Sequence, residues 1–78
     1  MDIVILQDRF VQNVKAMIGH DELNISQREL ARRMNVAEQY VSDYLRLKSS
    51  PGLDVIAKFA TALGVDPAEL LAEPVHAH

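Results

Sequence analysis

The chain has 78 residues, a formal net charge of −3 and no cysteine. That length carries one small domain, and the missing cysteine excludes disulfides, thiolate metal sites and a cysteine nucleophile. Hydrophobic residues make up 49% of the chain, enough for a true core, which at this size and without covalent staples relies on well-packed helices, often with help from a partner chain.

The N-terminus reads Met-Asp-Ile-Val-Ile-Leu-Gln-Asp. It lacks a basic n-region, and its apolar run is too short for a signal peptide or a membrane span. A cytoplasmic protein with no membrane partner is expected. The charge is unevenly spread. From Ser26 to Lys48, five cations (Arg28, Arg32, Arg33, Arg46, Lys48) face three anions (Glu29, Glu38, Asp43), a local charge of +2. The remainder has three cations against eight anions, a charge of −5. A local field of this kind steers an anionic partner more than the total charge does.

In chain order, Asp2 is a candidate N-cap for a first helix over about 3–18. Ile3, Leu6, Phe10, Val14, Met17 and Ile18 recur at helical spacing as its core stripe, with Asp8, Arg9, Gln12, Asn13 and Lys15 mostly on the other faces. Val4, Ile5 and Val11 lie partly outside the stripe, either as ordinary half-exposed residues or as part of a dimer contact. Gly19 is the candidate C-cap, and 20–25 a polar loop plugged by Ile25. Ser26-Gln-Arg-Glu29 fits a capping box that opens a second helix over 26–34. Leu30, Ala31 and Met34 face inward, and Gln27, Arg28, Arg32 and Arg33 outward. Asn35, which tolerates a left-handed backbone, ends this helix in a sharp turn anchored by Val36.

A third helix over 37–46 turns Val41, Tyr44 and Leu45 inward. Glu38, Gln39, Tyr40, Ser42, Asp43 and Arg46 form its outer face. Residues 47–52 make a loop punctuated by Pro51 and Gly52. The fourth helix, 53–63, has the core stripe Leu53, Ile56, Phe59, Ala60 and Leu63, with Gly64 as C-cap and Val65 packing behind it. Asp66-Pro-Ala-Glu69 starts a fifth helix over 67–72 with Leu70 and Leu71 inward. Pro74 ends it, leaving 74–78 as a flexible tail. The fold class is therefore all-α, a single five-helix domain without internal repeats.

No catalytic pattern is present: there is no glycine-rich phosphate loop, no nucleophile elbow and no His-Glu-x-x-His. His20, His76 and His78 are scattered, and two histidines on a tail make a weak metal site. No enzyme activity, metal, cofactor or small-molecule ligand is expected. Recognition fits better. Two helices joined by a tight turn, with small Ala31 at their crossing, present the second helix outward, where it can enter a major groove about 12 Å wide. Gln39 suits adenine, and Arg46 and Lys48 suit phosphates. Ser49 and Ser50, with amides near the start of the fourth helix, also suit a phosphate.

Gln27-Arg-Glu-Leu-Ala31, Met34-Asn-Val36, Val41 and Tyr44-Leu45 resemble the helix-turn-helix of the phage-repressor family, the lambda-repressor-like, Cro-type or XRE-type regulators. The resemblance runs on through Ser49-Ser-Pro-Gly-Leu-Asp-Val-Ile-Ala-Lys-Phe-Ala-Thr-Ala-Leu-Gly-Val-Asp-Pro-Ala-Glu-Leu-Leu71 and covers about two thirds of the chain. It implies a compact five-helix domain that binds operator DNA, generally as a homodimer on a palindromic site. Glu38, Gln39 and Asp43 match the family's base-reading positions, and Ala37 and Tyr40 beside them are placed to touch a thymine methyl or the backbone, so Tyr40 joins the expected base-reading set. Gln27 matches a residue that contacts phosphate and braces the reading helix. Arg46, Lys48 and Ser49 match the backbone contacts after it, and Arg28 and Ser42 complete the expected backbone set.

Two departures stand out. Asn35 replaces the usual turn glycine, and two of the three base-reading residues are acidic. Glu38 either accepts from cytosine N4 or is a solvated charge. Asp43 either reads a base, pairs with Arg46 or holds a neighbouring side chain. The expected function is a sequence-specific transcriptional regulator. The short chain favours a stand-alone Cro-like phage or prophage repressor over a two-domain one. The alternative is an antitoxin or other protein-interaction module on the same scaffold, motivated by the acidic pI and acidic outer face. Dimer surfaces are sought in the region 65–75 and among the outlying apolar residues of the first helix.

Overall fold

Five apolar stripes become five helices: α1 (Ile3–Met17), α2 (Gln27–Met34), α3 (Glu38–Leu45), α4 (Leu53–Leu63) and α5 (Pro67–Leu71). The computed structural model describes residues 3–18 and 25–73. The expected caps Asp2 and Gly19, most of the first loop, and the tail from Pro74 with His76 and His78 lie outside the described residues. Among the described residues there is no strand. An isolated parallel bridge between Ile18 and Ile25 ties the end of α1 to the entrance of α2.

α1 packs against α3, α4 and α5, α2 lies against α3 and α4, and α4 also meets α5. Every helix sends at least one fully buried side chain into the shared core: Phe10 and Val14 from α1, Leu30 from α2, Val41 from α3, Phe59 from α4 and Leu70 from α5. Burial on this scale supplies the main favourable term of folding, about 1.5–3 kcal/mol for each large apolar side chain. Phe59 is the hub. Phe10 meets it edge-on, with ring centroids 5.0 Å apart and planes at 84°. Tyr44 approaches at 6.3 Å and 78°, and Tyr40 stacks on it at 6.5 Å and 18°.

The buried surface differs from the expected stripes at the helix starts. Ile3 is 62% and Leu53 79% exposed. Each opens its helix, and side chains on a helix lean toward its N-terminus, so these two reach past the end of the core. Val11, expected outside the stripe, is buried, because α1 touches three helices and its covered arc is correspondingly wide. Asn13, expected on an outer face, is half-buried. Its Nδ2 donates to the carbonyl oxygens of Leu70 and Ala72, both at 2.9 Å. These belong to the C-terminal end of α5, where helix carbonyls lack partners of their own.

Three helices end in the same paired hydrogen bonds around one left-handed residue. After α2 that residue is Asn35 (φ 58°), with Asn35 N donating to Arg32 O at 3.1 Å and Val36 N to Ala31 O at 3.0 Å. After α4 it is Gly64 (φ 73°), with Gly64 N on Thr61 O at 3.2 Å and Val65 N on Ala60 O at 3.0 Å. After α3 it is Leu47 (φ 56°), with Leu47 N on Tyr44 O at 3.1 Å and Lys48 N on Asp43 O at 2.9 Å. A leucine in this conformation crowds its Cβ against the following carbonyl, at a cost of about 1–2 kcal/mol.

Two substitutions test these devices by urea unfolding. Leu47→Gly relieves the crowding and raises stability by about 0.5–1 kcal/mol after the entropy cost of glycine. A net loss would mean that the Leu47 side chain contributes more by packing than its backbone costs. Asn13→Ala removes both bonds to α5 and lowers stability by about 1–3 kcal/mol.

Candidate nucleic-acid interface

The unit Ser26 to Lys48 is built from α2, the Asn35 turn and α3. Ser26 starts α2 as expected, its Oγ accepting from Glu29 N at 3.0 Å. The second half of the expected capping box does not form. The Glu29 carboxylate turns to Arg32, through Nε at 2.8 Å and Nη2 at 2.6 Å, and to Arg33 Nε at 3.0 Å. Two guanidinium groups outcompete one neutral backbone N–H. The box does close at α5, where Asp66 Oδ1 accepts from Ala68 N at 3.0 Å and Glu69 Oε2 from Asp66 N at 3.3 Å.

α3 is held by its inner face. Val41 and Leu45 are buried, with Tyr44 packed beside them. Its N-cap, Ala37, has no side chain to cap with, and Glu38 supplies a negative charge in the first turn instead, where the helix dipole favours it. The outer row runs Glu38, Gln39, Ser42, Asp43, Arg46, the spacing that places residues on one face. Glu38, Gln39 and Arg46 are exposed, and Ser42 and Asp43 are half-buried.

Tyr40 leaves this row. It was expected to point outward beside the readers. Instead it is half-buried, edge-on to Tyr44 at 4.9 Å and stacked on Phe59. An aromatic ring gains more from this packing than from water. A contact missing from the sequence reading joins two of the expected readers: Gln39 Nε2 donates to Asp43 Oδ1 at 2.7 Å. Their i,i+4 spacing was the available signal. Asp43 therefore holds a neighbouring side chain, and that neighbour is Gln39, not Arg46.

The cations divide into two sets. Arg32 and Arg33 are engaged by Glu29, and Arg33 Nη1 also reaches Ala62 O at 3.4 Å. Arg28, Arg46 and Lys48 are exposed, and among the described residues their side chains make no ion pair. Arg46 and Lys48 flank Leu47, and Ser49 and Ser50 follow, all exposed. Gln27 is half-buried at the first position of α2. α4 begins with Gly52 as N-cap and no side-chain capping bond. Among the described residues no group of three or more histidine, cysteine or acidic side chains is placed to hold a metal ion, and no helix is long and apolar enough to cross a membrane. The arrangement offers a partly exposed hydrogen-bonding row that ends in two unpaired cations, Arg46 and Lys48, a combination that suits a groove lined by phosphates.

The profile of the Helix-turn-helix family matches residues 21–70, more than half of the chain. No curated protein and no solved structure matches it at a significant level.

The Arg32 and Arg33 contacts hold the Glu29 carboxyl at about 2, below its ordinary 4.5, chiefly through the hydrogen bond from Arg32 and then that from Arg33. A lowered folded-state value contributes stability that is complete above the ordinary value and is lost as pH falls through the folded one. Thermal melts should therefore show the gap between wild type and Glu29→Gln narrowing from about pH 4.5 down to about pH 2. A gap independent of pH across that window would show that the ion pairs contribute nothing.

Proposed function

From the premise that the chain belongs to the XRE-type Helix-turn-helix family of DNA-binding regulatory domains, we propose that it is a sequence-specific transcriptional regulator, a Cro-like phage or prophage repressor that binds a palindromic operator as a homodimer. The observation that carries this reading is the outer row of α3, with Arg46 and Lys48 exposed and unpaired at its end and Arg28 exposed and unpaired on α2. Gln39 reads adenine, and Glu38 accepts from a cytosine N4 amino group. Arg28, Arg46, Lys48 and Ser49 contact the phosphate backbone, with Gln27 and Ser42 at the border of the reading row. Tyr40 supports α3 from behind.

A second copy is needed to read a palindrome, since the symmetry of the protein mirrors that of the site. Exposed apolar residues favour α1 as the contact. Ile3, Val4 and Ile5 stand out on it, and Ile3 shares an apolar crevice with Leu53, Leu6, Pro51, Ile56 and Leu71. The region 65–75 is less suited, because Val65 and Leu71 pack against the core and Leu70 is fully buried. The antitoxin alternative keeps one supporting observation, the exposed Glu38 carboxylate at the head of the reading row.

Selection of bound sequences from a random duplex pool tests the reading directly. A palindromic preferred site supports it, and no retained duplex at low salt removes it. On the selected site, Gln39→Ala should cost about 1–3 kcal/mol of discrimination at one base pair and little on random DNA. Lys48→Ala should weaken all duplexes alike and reduce the slope of log affinity against log salt by about 1.

A further inference from the structure

Gln39 and Asp43 both stand in the outer row of α3, but they are not equivalent. Gln39 is exposed, whereas Asp43 is half-buried behind it, one helical turn on. Their single contact has a defined polarity. A carboxylate oxygen can only accept, so the amide nitrogen of Gln39 must be the atom that faces Asp43, as the 2.7 Å Nε2–Oδ1 distance has it. The backbone of Asp43 is anchored as well, because its carbonyl accepts from Lys48 N at 2.9 Å in the turn that closes α3. Arg46, the neighbouring cation, does not compete for the carboxylate.

We propose that Asp43 is a positioning residue that fixes the carboxamide of Gln39 in the one flip state able to read adenine. Here a side chain inside the reading row acts on the partner only through its neighbour. The inference rests on the DNA-reading function proposed above. A free glutamine at this position turns its terminal amide about a soft torsion and presents oxygen and nitrogen interchangeably. With Nε2 drawn to Asp43, that freedom is lost before DNA arrives. The primary amide has two hydrogens, and Asp43 uses one of them. The other hydrogen and Oε1 remain, which is the donor and acceptor pair that adenine N7 and N6 require. The role also accounts for an acid placed near phosphates: its charge weakens binding to every duplex, and the return is selectivity at one base pair.

The test uses the duplex selected by the wild-type chain, the same duplex with the Gln39-dependent A·T pair replaced, and a random duplex. Asp43→Ala should reduce discrimination at that pair by roughly tenfold, within the range of one bidentate contact, and should leave or raise affinity for random DNA. In a Gln39→Ala background the same substitution should change discrimination nowhere. Asp43→Glu keeps a carboxylate that can only accept, so it should retain more discrimination than Asp43→Ala, whereas Asp43→Asn offers donor and acceptor alike and should lose discrimination while binding all duplexes more tightly. In the free protein, the side-chain amide NMR signals of Gln39 should shift in Asp43→Ala and return toward wild type in Asp43→Glu. Losses that add independently in the double variant, or discrimination lost at a different base pair, overturn the positioning role and leave the DNA-reading function standing. A wild-type chain that retains no duplex removes both.

Discussion

The ring of Phe59 is the contact on which the rest depends. It sits on α4, yet it meets Phe10 of α1 and both tyrosines of α3. Three helices are thereby referred to one fully buried group. The pairing of edges with faces fixes orientation as well as distance, since aromatic rings prefer offset or perpendicular contacts. The consequence reaches the surface. With Tyr40 and Tyr44 packed against Phe59, Glu38, Gln39, Ser42, Asp43 and Arg46 occupy the other face of α3.

The ends of α3 are fixed by different means. At its start, Ala37 cannot cap, so the helix relies on the preceding Asn35 turn and on the charge of Glu38. At its end, a leucine takes the left-handed position that asparagine and glycine take elsewhere. The cost at Leu47 is borne where the chain turns out of α3, between the exposed Arg46 and Lys48. A strained backbone of this kind persists only where the surrounding structure holds it.

Electrostatics divide the surface more finely than the net charge of −3 suggests. Glu29 gathers Arg32 and Arg33 on α2, so two of the five cations of the central unit serve the helix itself. Arg28, Arg46 and Lys48 remain available. The acids of α3 divide likewise: Glu38 stays exposed, and Asp43 is occupied by Gln39.

Much of the fold was legible in the chain because it is written in local rules. The five helices follow from period-3.6 apolar spacing, and their limits follow from Ser26, Asn35, Gly64 and the Asp66-Pro67 start, each a backbone preference of one residue type. What the tertiary structure decided was the use of residues whose local chemistry permits two answers. Tyr40 can stand in solvent or stack, and Phe59 was in reach. Asn13 can be an outer polar residue or close a helix end 57 residues away. Ile3 and Leu53 satisfy the apolar period but fall beyond the ends of the core. Local sequence sets which elements form and, through i,i+4 spacing, the Gln39–Asp43 contact within α3; only the packing of distant elements turns Tyr40 onto Phe59 and Asn13 onto the end of α5, because those choices depend on neighbours brought close by the fold.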